Sequence, residues 1–343
     1  MSGGTVASLP EGLLDDGVWF RVEEAVTAAA VRRAAERLAA DLGMPERRVA
    51  DLSIVAAEAA GNLVKHADQG HILIRAVRTP AQAGVEVIAI DSGPGIEDVG
   101  RAIGDGHSTA GTLGIGLGAI LRQASHWDLH SLPGRGTVLA VQVWPAAPPE
   151  PAWVSGLIRP LPGESVSGDA YAVREDGDRR QVLVTDGLGH GGLAALASRE
   201  AVRTFLKGPI ASPAATVEAL HRALGHTRGA ALAVAELDTA AGLVRYAGLG
   251  NISGTVLAPD GGRRGMISMP GIAGHQRRQV REYDYPLTPG SVVLMHTDGL
   301  EDRWNPANYP GLFSRSPAVI AATVLRDAGT RRDDAGILVA RPS

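Results

Sequence analysis

Apolar residues recur at helical spacing twice near the start of the chain. Residues 25–42, rich in Ala, Arg and Glu, predict a helix that stops at Gly43, and Pro45-Glu46 opens a second one reaching about Ala67. Within the second, Leu52, Val55, Ala59 and Leu63 form an apolar stripe. Glu58, Asn62 and His66 recur every fourth residue and form a polar line whose centre sits roughly 60–70° around the axis from the stripe. A line at that angle runs along the edge of the buried face, where a pocket can open; taken alone, polar spacing of this kind usually means no more than a solvated helix face. After residue 70 the period changes to that of strands, at residues 72–77 and 85–90, and residues 127–143 read as a hairpin turning at Pro133-Gly-Arg-Gly136. Farther on, residues 181–185, 291–297 and 335–340 are strand-like, residues 238–251 read as a turn and strand, and 193–207 and 214–225 are helical.

Between these two sets lies Pro145-Ala-Ala-Pro-Pro-Glu-Pro151, where each proline fixes its own φ and disfavours helix before it. An extended, semi-rigid linker over 145–152 would divide a domain at 1–144 from one at 153–343; the other reading is a surface loop within one domain. Length supports the division, since 343 residues with 45% hydrophobic content can bury a substantial core and favour two domains over one. A net charge of −4 supplies no general attraction for nucleic acid or an anionic membrane, so protein or small-molecule partners are expected. With no cysteine, disulfides, thiolate metal sites and a cysteine nucleophile are excluded. The opening Met1-Ser-Gly-Gly-Thr5 has no basic segment leading into an apolar core, and no spanning stretch follows, which makes a cytoplasmic location the expectation.

Candidate chemistry in the first half comes in three boxes. After Glu58, Asn62 and His66, the strand at 85–90 delivers Asp91 into Ser-Gly-Pro-Gly-Ile96. An Asp at a strand end beside Gly93 and Gly95 can accept a hydrogen bond from an exocyclic amine while the backbone approaches a flat ring; it can also be an ordinary polar turn. Third, Gly111-Thr-Leu-Gly-Ile-Gly-Leu-Gly118 opens a helix whose free N–H groups favour phosphate. No strand precedes that loop as in a Rossmann fingerprint, and no Gly-Lys-Ser/Thr follows as in a Walker A loop. In this order the boxes resemble, over roughly residues 20–144, the ATP-binding domain shared by gyrase, Hsp90, histidine kinases and MutL, a two-layer α/β sandwich. Asp105-Gly-His-Ser-Thr with Thr112-Leu-Gly-Ile-Gly-Leu-Gly brings them nearest the anti-sigma-factor serine kinases of the RsbW, SpoIIAB and RsbT group. The resemblance implies that Asn62 holds Mg²⁺ against ATP, Asp91 reads adenine, Gly114, Gly116 and Gly118 form the lid, Thr137 supports Asp91, and Glu58 is the general base. His66 is assigned a structural role.

The second half presents carboxylates at strand ends: Ser167-Gly-Asp169, Thr185-Asp-Gly-Leu-Gly-His-Gly191, Thr297-Asp-Gly-Leu300 and Arg332-Asp-Asp334. Each Asp-Gly alone is a common turn. Several such carboxylates together suit a hard cation such as Mg²⁺ or Mn²⁺, and zinc less well. The joint pattern resembles, over roughly residues 153–341, the metal-dependent 2C-type protein phosphatases of the SpoIIE, RsbU and RsbX branch, a four-layer αββα sandwich. That resemblance implies two metals bridged by Asp186, with the Gly187 carbonyl as a ligand, Asp298 and Asp333 completing one of them, Asp169 nearby and Asp334 behind; the metals activate water for in-line attack on phosphoserine or phosphothreonine. His190 is a loop residue or a proton donor, and Asn251 a turn cap or a polar tip of the branch.

Together these readings imply a bifunctional switch: a Ser/Thr kinase and a phosphatase acting on a STAS-domain antagonist or scaffold protein supplied in trans, with a sigma factor or second-messenger enzyme downstream. One alternative makes the ATP site a sensor gating the phosphatase, although Glu58 is a carboxylate that nucleotide binding alone does not require. Another makes the first domain a sequestering module, in which binding survives Glu58→Ala.

Overall fold

In a computed structural model, residues 17–103, 116–277, 279–330 and 332–341 are described. They form two compact units, one ending at Pro151 and the other beginning at Ala152. The Pro-rich segment belongs to the first, where the Gln82 amide donates to the Ala147 carbonyl (2.7 Å) and a ring nitrogen of His126 meets that of Pro149 (2.8 Å).

The first unit runs β1 (Val18–Arg21), α1 (Ala25–Asp41), α2 (Glu46–His66), β2 (His71–Arg78), β3 (Ala83–Ile90), α3 (Val99–Ile103), α4 (Gly116–Gln123), β4 (His126–Leu132) and β5 (Gly136–Val143). Its antiparallel strands lie in the order β1-β2-β3-β5-β4. Alternate residues of the sheet, among them Ile74, Val87 and Val141, meet Val31 and Ala35 of α1, Leu52, Val55 and Ala59 of α2 and Ile120 of α4 in one core. The apolar stripe expected on α2 is thus buried, and the unit is a two-layer α/β sandwich. α2 opens directly after Pro45, whose missing N–H costs nothing there.

The second unit contains β6 (Val154–Arg159), β7 (Asp169–Asp176), β8 (Arg179–Gly187), α5 (Gly192–Lys207), α6 (Pro213–Ala223), β9 (Ala230–Asp238), β10 (Leu243–Leu249), β11 (Ser253–Leu257), β12 (Arg263–Met266), β13 (Tyr283–Pro286), β14 (Val292–His296), α7 (Pro317–Ala328) and β15 (Ala335–Ala340). One sheet has the order β13-β10-β9-β8-β7 and the other β12-β11-β14-β15-β6. Their facing surfaces share a core that includes Val182, Val184, Ala235 and Tyr246 from the first and Val256, Val293, Met295 and Leu338 from the second. Residues of the opposite parity, such as Leu183, Leu232 and Val234, pack with Phe205 of α5 and Leu220 of α6, while α7 covers β6 and β15. This is the expected αββα sandwich. α6 and α7 both start at Ser-Pro, where the Ser212 and Ser316 hydroxyls accept from the Ala215 and Val319 amides. β6, the first strand of the unit, pairs with β15, the last, from Ala335 opposite Arg159 to Ala340 opposite Val154.

Candidate functional site

In the first unit the polar line of α2 meets the first turn of α4. A Cβ built on Gly116 would stand 3.0 Å from Asn62 Oδ1 and 3.4 Å from Glu58 Oε2, so that turn closes tightly on Asn62 and lies in ordinary contact range of Glu58. Gly118 is buried one step along the helix. Asp91 leaves β3 beside the start of β5: its amide donates to the Thr137 carbonyl (2.9 Å) and its Oδ1 accepts from the Gly93 amide (2.7 Å). The turn is pressed against neighbouring backbone. A Cβ on Gly93 would lie 2.9 Å from the His66 carbonyl oxygen, and one on Gly95, at φ +71°, only 2.2 Å from that of Leu132. Gly136, at φ +86°, approaches the Asp91 carbonyl in the same way. Thr137 shares its hydroxyl with Ser131 (2.9 Å), which in turn accepts from the Ile96 amide (2.8 Å). Asp91, Gly93, Gly95 and Thr137 therefore belong to one cradle, tied to the C-terminal end of α2. Gly114 and the Asp105–Thr112 stretch lie outside the described residues.

In the second unit Asp169 and Asp186 are opposite each other in the β7–β8 ladder. Asp169 is buried, and Oδ2 accepts a hydrogen bond from the Thr297 hydroxyl (2.6 Å). Asp186, Asp298 and Asp333 line one cleft of about 610 Å³, together with Asn251, His190 and Arg332. Burial, then the charge of Asp298, Asp333 and Asp334, pushes the Asp186 carboxyl up to about 7. Asp169 is raised well above the usual carboxylate range, by burial first and by Asp186 second, and Asp298 is raised by burial and by Asp333. Such mutually repelling carboxylates concentrate negative charge that a divalent cation would offset, and their hard oxygen donors suit Mg²⁺ or Mn²⁺. Among the described residues no three His, Cys, Asp or Glu side chains already stand close enough to enclose an ion.

Both Asp-Gly pairs owe their glycine to close packing. Neither Gly187 nor Gly299 has a positive φ, yet a Cβ would fall 2.1 Å from the Ala194 carbonyl oxygen at Gly187 and 1.9 Å from the Asp334 carbonyl oxygen at Gly299. Asp334 is occupied differently from its neighbour: its two oxygens accept from the Leu161 and Gly168 amides, each at 2.7 Å, so it fastens the loop before β7. Asn251 does more than cap a turn, since Nδ2 donates to Asp298 Oδ2 (2.7 Å). His190 is exposed, with Nδ1 3.0 Å from Glu164 Oε1. Sequence reasoning missed Thr297 as the hydrogen-bond donor to Asp169, and His296, which is buried and reaches Asp302 (3.2 Å), holding that carboxyl down to about 2. Their only signal was position, immediately before Asp298 on a strand.

Residues 20–143 match the histidine kinase-like ATPase domain, and residues 176–343 match stage II sporulation protein E, SpoIIE. The serine/threonine-protein kinase RsbT of Bacillus subtilis (strain 168) is 31% identical over 131 residues, which span 38% of this chain and 98% of RsbT. The phosphoserine phosphatase RsbX of the same organism is 24% identical over 141 residues, 40% of this chain and 69% of RsbX. Among solved structures, a chain of the bacterial stressosome, a modular system adapted to control secondary messenger signalling, is 28% identical with a TM-score of 0.51, covering 55% of this chain and 98% of its own.

Proposed function

From a chain whose first domain belongs with the histidine kinase-like ATPases of the RsbT type and whose second belongs with the SpoIIE phosphatases, we propose a bifunctional switch that phosphorylates Ser or Thr on a partner and removes phosphate from that partner or a related one. The observation that carries it is the meeting of Asp186, Asp298 and Asp333 in one cleft of the second domain, on a chain whose first domain keeps Glu58 and Asn62 against Gly116. Asp186, the Gly187 carbonyl, Asp298 and Asp333 would hold two Mg²⁺ or Mn²⁺ ions, with Asp169 adjoining. When bound, such ions offset charge on the phosphoryl oxygens and activate water. Asn251 orients Asp298, Thr297 orients Asp169, and Asp334 keeps the loop before β7 in place through its two backbone amides. Arg332 is the cationic side chain on the cleft wall and is placed to orient an incoming phosphate.

In the first domain Asp91 would accept from the adenine amine of ATP, the glycines around it admitting the ring, and Asn62 would hold Mg²⁺ against the phosphates. Glu58 would take the proton from the attacking hydroxyl, while Gly116 and Gly118, with Gly114, frame the lid. The partners would be STAS-domain antagonist or scaffold proteins, with a sigma factor or second-messenger enzyme as output; neither nucleic acid nor membrane enters this reading, and the protein would work in the cytoplasm. Among the described residues no helix is long and apolar enough to cross a membrane. The reading is tested by incubating a phosphorylated STAS-domain protein with Mn²⁺ and the full chain: phosphate is released by the wild type and retained with Asp298→Asn.

A further inference from the structure

The cleft has an apolar rim that its chemistry does not use. Leu188, which lines the cleft, is 50% exposed, and Leu193 and Leu196 on the first turns of α5 are 52% and 56% exposed. Ile267, 53% exposed, precedes Ser268 on the cleft wall. Single exposed leucines are ordinary, but here they follow one another from the metal-site loop onto a helix. The inward side of α5 buries Ala194, Ala197, Ala201 and Phe205, so Leu193 and Leu196 are outside by helical geometry and are not displaced core residues. Farther along, the same helix exposes Arg199 and Arg203. Cations also reach the cleft: Arg332 lines it, and Arg228 comes near the loop, its Nη1 3.5 Å from where a Cβ on Gly189 would be.

We infer that Leu188, Leu193 and Leu196 form the docking surface for a folded phosphoprotein substrate, which presents its phosphoserine or phosphothreonine from an apolar patch of its own. The inference rests on the phosphatase reading above and specifies how that site selects its substrate. Two features choose this occupant. Leu188 itself lines the cleft, and Leu193 and Leu196 follow it within eight residues of chain, so a partner covering all three would lie against the loop that carries Asp186. Arg332 and Arg228 supply positive charge for an anion at the centre of the contact, an arrangement of apolar anchors around a charge that fits a phosphorylated protein surface. No residue of α5 lines the cleft, so a small phosphate ester would not need that helix to reach the carboxylates.

The test is a steady-state comparison of the full chain with its Leu193→Ser/Leu196→Ser variant in Mn²⁺, on a phosphoserine-bearing STAS-domain protein and on p-nitrophenyl phosphate. The expected result is a fall in kcat/KM for the phosphoprotein of about tenfold or more, carried by KM, as burial of one or two leucines would supply, with p-nitrophenyl phosphate turnover and the melting midpoint unchanged. An unchanged KM for the phosphoprotein overturns the inference, as does an equal loss on both substrates, or wild-type kcat/KM no higher for the phosphoprotein than for the ester. If the double variant instead only dissociates a wild-type oligomer seen by sedimentation, the patch joins copies of this chain and the docking role is wrong. Failure of the wild type on both substrates would refute the phosphatase reading itself.

Discussion

Gly299 and Gly187 show how little a dipeptide says without its surroundings. An Asp-Gly is ordinarily a turn because glycine accepts positive φ, but at these positions glycine provides space for a neighbouring carbonyl. Replacing Gly299 by Ala drives a methyl group into the Asp334 carbonyl and should destabilise the protein by at least about 1–3 kcal/mol, measurable as a lower denaturation midpoint; an unchanged midpoint would mean that the two loops separate freely. Asp186 sets a pH dependence of definite sign. Its folded-state pKa, raised to about 7 chiefly by burial, lies above the ordinary carboxylate value, so the folded protein binds this proton more tightly than the unfolded chain does. Without metal, stability should therefore fall as pH rises from about 4 to about 7, by on the order of 4 kcal/mol for this group. Denaturation across that range should show the decline, Asp186→Asn should flatten it, and Mn²⁺ should oppose it above pH 7.

Elements with strong periodicity were legible before the fold was known: α1 and α2 fall within a residue or two of their predicted ends, and the strands leading to Asp91 and Asp298 end within a residue of where the patterning put them, whereas β8 runs past Thr185 and carries Asp186 and Gly187 within the strand. What stayed hidden depends on partners distant in sequence. β6 is a strand because β15 completes its ladder, β1 because β2 does, and the short β12 and β13 edges because of β11 and β10. α7 is buried along nearly its whole length, so it shows little of the two-sided pattern that marks an amphipathic helix. Asn251 and Thr297 were visible as residues, but only the approach of β7, β11 and β14 makes them partners of Asp298 and Asp169. Cross-strand polar contacts were equally unreadable. Arg75, Glu86 and Gln142 stand side by side in one row across β2, β3 and β5, with Arg75 Nη2 2.6 Å from Glu86 Oε2 and Gln142 Nε2 2.8 Å from Glu86 Oε1. Arg75→Ala leaves a buried carboxylate short of its cation and should cost about 3–5 kcal/mol; urea denaturation of Arg75→Ala beside Arg75→Ala/Glu86→Gln checks this, since the double variant should recover part of the loss.

At the scale of the whole molecule, a kinase-type and a phosphatase-type domain on one chain would consume ATP in a closed cycle if both acted on one substrate at once. A bifunctional switch would therefore require either two substrates or a signal that separates the activities. A phosphatase gated by ATP binding avoids the cycle, but it gives Glu58 no task beside Asn62 and Gly116. Gly116→Ala places a methyl group 3.0 Å from Asn62 Oδ1 and should weaken ATP binding, read by titration with a fluorescent ATP analogue, while leaving Mn²⁺-dependent hydrolysis of p-nitrophenyl phosphate unchanged. The most direct test follows the phosphorylation state of one STAS-domain protein incubated first with Mg-ATP and then with Mn²⁺ alone, in the presence of wild-type, Glu58→Ala or Asp298→Asn protein. A bifunctional switch adds phosphate only when Glu58 is present and removes it only when Asp298 is present. Removal by the wild type without any addition would contradict the kinase half and leave the first domain as a nucleotide sensor or docking module.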